Sequence, residues 1–114
     1  MTHIESFEDV VAWQRAKELN ILLYGQFRNH KDYAFKDQLL RASVSIMNNI
    51  AEGFDRGSHK ELKQFLVIAR GSAAEVRSML ILAGELGYIE DTVKYMTLAR
   101  EISRLLTGFI KSIH

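Results

Sequence analysis

The stretch Ser58-His59-Lys60-Glu61-Leu62-Lys63-Gln64-Phe65-Leu66-Val67-Ile68-Ala69-Arg70-Gly71-Ser72-Ala73-Ala74-Glu75-Val76-Arg77-Ser78-Met79-Leu80-Ile81-Leu82-Ala83-Gly84-Glu85-Leu86-Gly87 carries a helix start, an apolar stripe and a helix stop in one run. Ser58 and Glu61 have capping-box spacing, in which a hydroxyl and a carboxylate satisfy the first free backbone N–H groups. Leu62, Phe65, Ala69, Ala73, Val76, Leu80 and Ala83 recur at spacings of three and four, which puts them on one face of a helix. Gly87 stands where a helix end favours a left-handed residue. A helix over about 59–86 follows, amphipathic and too short of unbroken apolar sequence to be a membrane span.

The same pattern extends in both directions. Before the loop Asp55-Arg56-Gly57, Leu39, Ser43, Ile46, Ile50 and Phe54 form a stripe over 34–54, flanked by Leu40, Met47 and Ala51. A polar break from Asn29 to Asp32 separates it from a stripe of Ala12, Ala16, Leu19, Leu23 and Phe27, with Trp13 beside it. That first helix is expected over 7–28, opened by Ser6-Phe7-Glu8-Asp9, where Asp9 replaces the usual Glu or Gln of a capping box. After Gly87, Glu90-Asp91-Thr92 opens a last helix over 92–112, whose stripe is Met96, Ala99, Ile102, Leu106, Phe109 and Ile113. Short connections between long helices make neighbours antiparallel, so the expected fold is all-α: an up-down-up-down four-helix bundle, one domain over 1–114.

Composition agrees. The chain has 114 residues, 47% hydrophobic, with no proline to break a helix and no cysteine. Lack of cysteine excludes disulfides, thiolate nucleophiles and cysteine-held zinc or iron–sulfur centres. Fifteen Lys and Arg against fourteen Asp and Glu leave a formal net charge of +1, without the strongly basic balance of a dedicated nucleic-acid binder. Met1-Thr2-His3-Ile4-Glu5 shows no basic segment followed by an apolar run, and the longest apolar run is Met79 to Gly84. A cytoplasmic protein without membrane contact is expected.

Chemistry finds little purchase. The Glu-x-x-His pairs of metal-binding bundles do not occur, and His3, His30, His59 and His114 fall at expected helix ends or loops. Glu52 and Glu75 are the mid-bundle carboxylates to weigh as an acid/base pair; a structural polar network is the simpler role for both. Glu75 is expected near the core side of its helix, close to Ser72, and Glu52 on the polar face with Arg41 and Asn48. Ser43, Ser45 and Ser72 have no histidine at helical spacing, and Gly53 and Gly57 lack the strand–loop–helix setting of a phosphate loop. No catalytic residue, metal site or cofactor is expected, and the chain reads as a non-enzyme.

Two features exceed the needs of a monomeric bundle. Val67, Ala74 and Ile81 recur every seven residues outside the third stripe, Val11 and Leu22 share one side of the first helix, and Val10 and Ile21 another. They are either scattered surface apolars or a second seam joining subunits. Glycines within helices, Gly25, Gly71, Gly84 and Gly108, each cost ~1 kcal/mol relative to Ala, a cost easier to understand where another helix approaches closely. Beside the seam runs a basic line of Arg56, Lys63, Arg70 and Arg77, and Arg100, Arg104 and Lys111 form a second on the fourth helix. These are either solvated faces with interface ion pairs or a phosphate-contacting surface. No aromatic residue interleaves with either line, so neither offers a base-stacking platform.

The segment Leu40-Arg41-Ala42-Ser43-Val44-Ser45-Ile46-Met47-Asn48-Asn49-Ile50-Ala51-Glu52-Gly53-Phe54 resembles the "AxSIxxNIAEG" signature of a bacterial four-helix bundle family whose founding members are encoded by intervening sequences in 23S ribosomal RNA genes. Phe7 to Gln14, Ser58 to Glu75 and Gly87-Tyr88-Ile89 are similar to further parts of that family's pattern, so nearly the whole chain is covered in order. The family often has a proline after the motif isoleucine; here the position is Met47, which is expected to straighten the second helix. The resemblance implies a bundle that assembles into a homopentameric ring, with Asn49, Ala51, Glu52, Gly53, Ser72 and Glu75 as structural motif positions. It also implies distant kinship with the strongly basic accessory protein of diversity-generating retroelements, which binds nucleic acid and a reverse transcriptase. Two functions remain open: a self-assembling bundle that binds RNA, DNA or a ribonucleoprotein, and a protein-interaction scaffold without a nucleic-acid role.

Overall fold

A computed structural model describes residues 4–113; His3 and His114 lie outside the described residues. A 3-10 turn, Phe7–Asp9, precedes four α-helices: α1 (Val11–Phe27), α2 (Tyr33–Asp55), α3 (His59–Glu85) and α4 (Val93–Ser112). The fold is an all-α four-helix bundle, 43 Å long and about half as wide. α1 packs on α2 and α4, α3 packs on α2 and α4, and α1 and α3 stand diagonally opposed. α2 runs without interruption through Met47, as the missing proline implies.

The first helix starts at Val11, four residues later than the 7–28 span opened by Ser6-Phe7-Glu8-Asp9 leads one to expect. The Asp9 carboxylate accepts the backbone N–H groups of Glu5 and Ser6 at 3.1 and 3.3 Å, closing a separate tight turn. Val10 is then extended (φ −82°, ψ 121°) and its carbonyl accepts the first α1 bond, from the Gln14 N–H. Its side chain enters the core and is 2% exposed, so Val10 does not share an outer face with the exposed Ile21. Full burial of a valine side chain contributes ~2 kcal/mol, which stabilises this entry into α1.

The other ends follow local chemistry. The Asp32 carboxylate caps α2 through the Phe35 N–H at 3.1 Å. The Ser58 hydroxyl oxygen accepts the Glu61 N–H at 3.1 Å and donates to the Glu61 carboxylate at 3.3 Å. Gly87 takes φ +74°, which lets the Tyr88 N–H reach the Ala83 carbonyl at 2.8 Å and close α3. Asp91 rather than Thr92 caps α4, accepting the Val93 N–H at 2.9 Å.

The four stripes meet in one core. Phe54, Phe65, Phe109 and Ile113 are half-buried at its margin, where Phe54 and Phe109 meet edge to face at 5.6 Å. The α2–α3 seam is the closest approach. A Cβ on Gly53 would lie 2.9 Å from the Phe65 Cβ, so only glycine lets these backbones come together. Further along the same seam, the Asn49 amide donates to the Ser45 carbonyl and hydroxyl at 2.8 and 2.9 Å. The Ser45 and Ser72 hydroxyls meet at 2.9 Å across the helices. Asn20, buried on α1, donates to the Ala16 and Ser43 carbonyls and ties α1 to α2.

At one end the two loops lock together. The Tyr88 hydroxyl donates to Asp32 at 2.7 Å, and the His30 and Tyr88 rings lie 4.3 Å apart. The Tyr88 hydroxyl and the Phe35 N–H hold the Asp32 carboxyl below its ordinary pKa, with the nearby His30 adding to the effect. The same bond pushes the Tyr88 phenol up.

Candidate functional site

The two basic lines meet where α3 packs on α4. Arg70 of α3 donates to the Thr107 hydroxyl of α4 at 3.4 Å. Thr107 lines a shallow groove of about 370 Å³ with Ser103, Arg104, Gly108 and Lys111. Arg77, one heptad beyond Arg70, keeps the same side of α3. Its Nε and the Ser103 hydroxyl are both out of solvent and have no hydrogen-bond partner among the described residues. Arg100 is exposed one turn before Arg104.

The carboxylate that could neutralise this surface turns elsewhere. Glu101, the acidic residue of α4, faces α1 and pairs with Arg15 at 3.3 Å; Arg15 also meets Glu18. Among the described residues, none of Lys63, Arg70, Arg77, Arg100, Arg104 and Lys111 has a carboxylate within ion-pair distance. Unpaired cations that share a face raise the local potential and attract polyanions.

Two members of the lines lie apart. Arg56 pairs with Glu52 at 3.1 Å and sits over the Phe65 ring at 5.1 Å, at the α2–α3 corner. Lys63 borders an apolar depression on the outer face of α3 with Lys60, Gln64, Val67 and Ile68. Arg104 and Lys111 therefore line the groove and Arg70 reaches its Thr107 wall, Arg77 lies one heptad further along the same side of α3, and Arg56 and Lys63 stay outside.

The carboxylates weighed for acid/base work are separated. Glu52 is exposed and engaged with Arg56. Glu75 is exposed, contrary to the core-side placement expected from its spacing, because the α3 face toward α2 is open there. It lines a groove of about 490 Å³ with Asp37, Gln38, Arg41, Ser45 and Ser72. Among the described residues no three His, Asp or Glu side chains converge as metal ligands. His30 packs in the loop latch and His59 is exposed at the start of α3.

The surplus apolar residues fall on two faces. Val67, Ala74 and Ile81 point outward from α3, and Ile68 and Leu82, also two heptads apart, widen the strip. Their spacing alone could have included them. On α1, Val11 is exposed, whereas Leu22 is half-buried against the core. Since α1 and α3 are diagonal, the two sets do not form one seam. A Cβ on Gly71, between Val67 and Ala74, would meet nothing within 4 Å; the same holds for Gly25 and Gly108, while Gly84 approaches the Thr92 methyl at 3.1 Å.

A third groove, of about 500 Å³, runs between α1 and α2 on the opposite side of the bundle from α3–α4. Tyr24 and Arg28 line it from α1; Lys36, Asp37, Leu40, Arg41 and Val44 line it from α2. Facing i, i+4 rows, Tyr24/Arg28 and Lys36/Leu40/Val44, carried this signal, but only once the helices are paired.

The family model described as "23S rRNA-intervening sequence protein" matches residues 8–108. A crystal structure of a protein of unknown function from the S23 ribosomal protein family of Bacteroides thetaiotaomicron is similar at a TM-score of 0.82 and 26% identity, covering 89% of this chain and 99% of that one. No curated protein matches. Among the described residues, no helix is long and apolar enough to cross a membrane.

Proposed function

The chain belongs to the 23S rRNA-intervening sequence protein family, and from that premise we propose that it is a non-enzymatic cytoplasmic bundle that assembles with copies of itself and binds RNA or DNA through phosphate contacts on the α3–α4 side. The observation that carries this is a groove lined by Arg104 and Lys111 and reached by Arg70, with the one carboxylate of α4 diverted to Arg15. With a net charge of only +1, attraction to a polyanion is local to such a surface rather than a property of the whole molecule.

Assembly is supported by apolar surface on diagonal helices. Different patches on opposite sides suit head-to-tail contacts, which close into a ring when the rotation allows. The homopentamer implied by the family resemblance is a ring of this kind. It would repeat the basic groove around its axis and multiply weak contacts by avidity. The breadth of the outer α3 strip, with Val67, Ile68, Ile81 and Leu82 all exposed, also favours a second reading, a scaffold that docks another protein there.

Two measurements decide between them. Sedimentation should give a mass several times that of one chain, five-fold for the pentamer. Anisotropy titration of labelled mixed-sequence RNA and DNA should show binding at ~50 mM salt that weakens steeply on raising it. No binding to either polymer at that salt, with a protein partner retained after nuclease treatment, would replace this reading by the scaffold.

A further inference from the structure

We propose that the α1–α2 groove is a second binding site, which takes an unstacked base of a single-stranded nucleic acid. The proposal rests on the nucleic-acid reading above and adds to it a place where the base, rather than the phosphate, is held.

The groove differs in kind from the α3–α4 groove. Tyr24 contributes a partly exposed ring, and Leu40 and Val44 supply an apolar floor. Three cations, Arg28, Lys36 and Arg41, line it against one carboxylate, Asp37. Among the described residues none of the three cations is in an ion pair. The Arg28 Nε donates to the Tyr24 carbonyl at 3.4 Å and the Lys36 ammonium to the Arg28 carbonyl at 3.3 Å, which holds both heads at the rim. Lys36 also lies 4.7 Å over the ring of Tyr33, which is 67% exposed. The groove thus offers one accessible ring, an apolar floor and a cationic margin, and the Tyr33 ring stands outside it beside Lys36.

A nucleobase needs that combination: a π-face to stack on and a positive edge for the flanking phosphates. Base stacking on an aromatic side chain is sequence-tolerant, since every base has a π-face, and Asp37 can accept a hydrogen bond from an exocyclic amine or from the N3–H of uracil. A duplex keeps its base faces stacked internally and can present only phosphates here. The groove should therefore separate single strands from duplexes, which the α3–α4 cations alone cannot do. An acidic peptide matches the cations but makes no use of the Tyr24 ring.

The test uses the full-length protein with short labelled oligouridine and a short duplex RNA in low salt. Tyr24→Leu should weaken oligouridine binding ~10-fold and leave the duplex within about twofold, while Tyr24→Phe binds as wild type. Tyr33→Leu, at a more exposed ring, should shift the same ratio less and serves if Tyr24→Leu fails to fold. A polyglutamate peptide should not displace oligouridine efficiently. Equal losses on both probes, no loss on oligouridine, or displacement by polyglutamate as effective as by unlabelled oligouridine would overturn the base site. Those results would leave phosphate binding intact if the duplex still binds. Wild type that binds neither probe would overturn the nucleic-acid reading itself and this site with it.

Discussion

The α3–α4 groove and the α1–α2 groove lie on opposite sides of one bundle, yet differ in what they offer a ligand. The first is lined by Ser103, Arg104, Thr107, Gly108 and Lys111 with Arg70 reaching in, and no aromatic ring lines it. The second mixes Arg28, Lys36 and Arg41 with Tyr24, Leu40 and Val44. Charge without rings attracts any polyanion; charge with rings adds a term that only an unpaired base can satisfy. A bundle whose core is built from four inward stripes can carry two chemistries because its outer faces are free of the core's constraints.

The largest expected effect falls on both grooves alike. Ala74→Glu, in the outward α3 strip, should disperse the oligomer without unfolding the bundle, because Ala74 is exposed within the chain. On a long RNA the lost avidity should cost ~100-fold or more in apparent affinity. Light scattering that still showed the wild-type mass would contradict this placement of the interface.

Charge reversal then distinguishes the grooves. Arg104→Glu with Lys111→Glu should weaken duplex and single-strand binding together by ~10- to 100-fold and flatten the log–log salt dependence by about two phosphates' worth. Thr107→Tyr should do the opposite on one probe: a ring placed beside Arg70 and Arg104 should raise oligouridine affinity a few-fold and leave the duplex unchanged. If the duplex gained equally, stacking would not be what separates the grooves.

The smallest effect concerns the latch that anchors the start of α2, and with it one end of the α1–α2 groove. Asp32 has a folded pKa below its ordinary value. Its contribution is therefore present above that ordinary value and is lost as pH falls through the lowered one. Tyr88 is raised, so its contribution holds below the ordinary phenol value and fades as pH climbs through the folded one. Tyr88→Phe should lower the thermal midpoint modestly at neutral pH and leave a smaller difference from wild type in strong acid. An undiminished difference there would mean that the Tyr88–Asp32 bond is not its source.

The fold was legible because its signals are local. The stripes, the Ser58 and Gly87 signals and the absence of proline all act within one helix. The start of α1 was not, since Asp9 can close either an α-helix or a separate turn, and burial of Val10, a tertiary effect, selects the turn. The exposure of Glu75, in the groove beside the Ser45–Ser72 contact, depends on how α2 and α3 pack, which no single-helix pattern contains. Heptad-spaced Arg70 and Arg77 were visible, whereas Tyr24 and Lys36 become neighbours only when α1 and α2 pair. The role of Gly53 lies between these cases: the motif marks it, and the Phe65 Cβ explains it.

The most direct test of phosphate binding on the α3–α4 side is the salt dependence of RNA affinity for wild type and for the Arg104→Glu/Lys111→Glu variant, measured side by side by anisotropy. A steep wild-type slope that loses about two phosphates' worth in the variant is the expected result. Identical slopes for the two proteins, or no wild-type binding at ~50 mM salt, would contradict it.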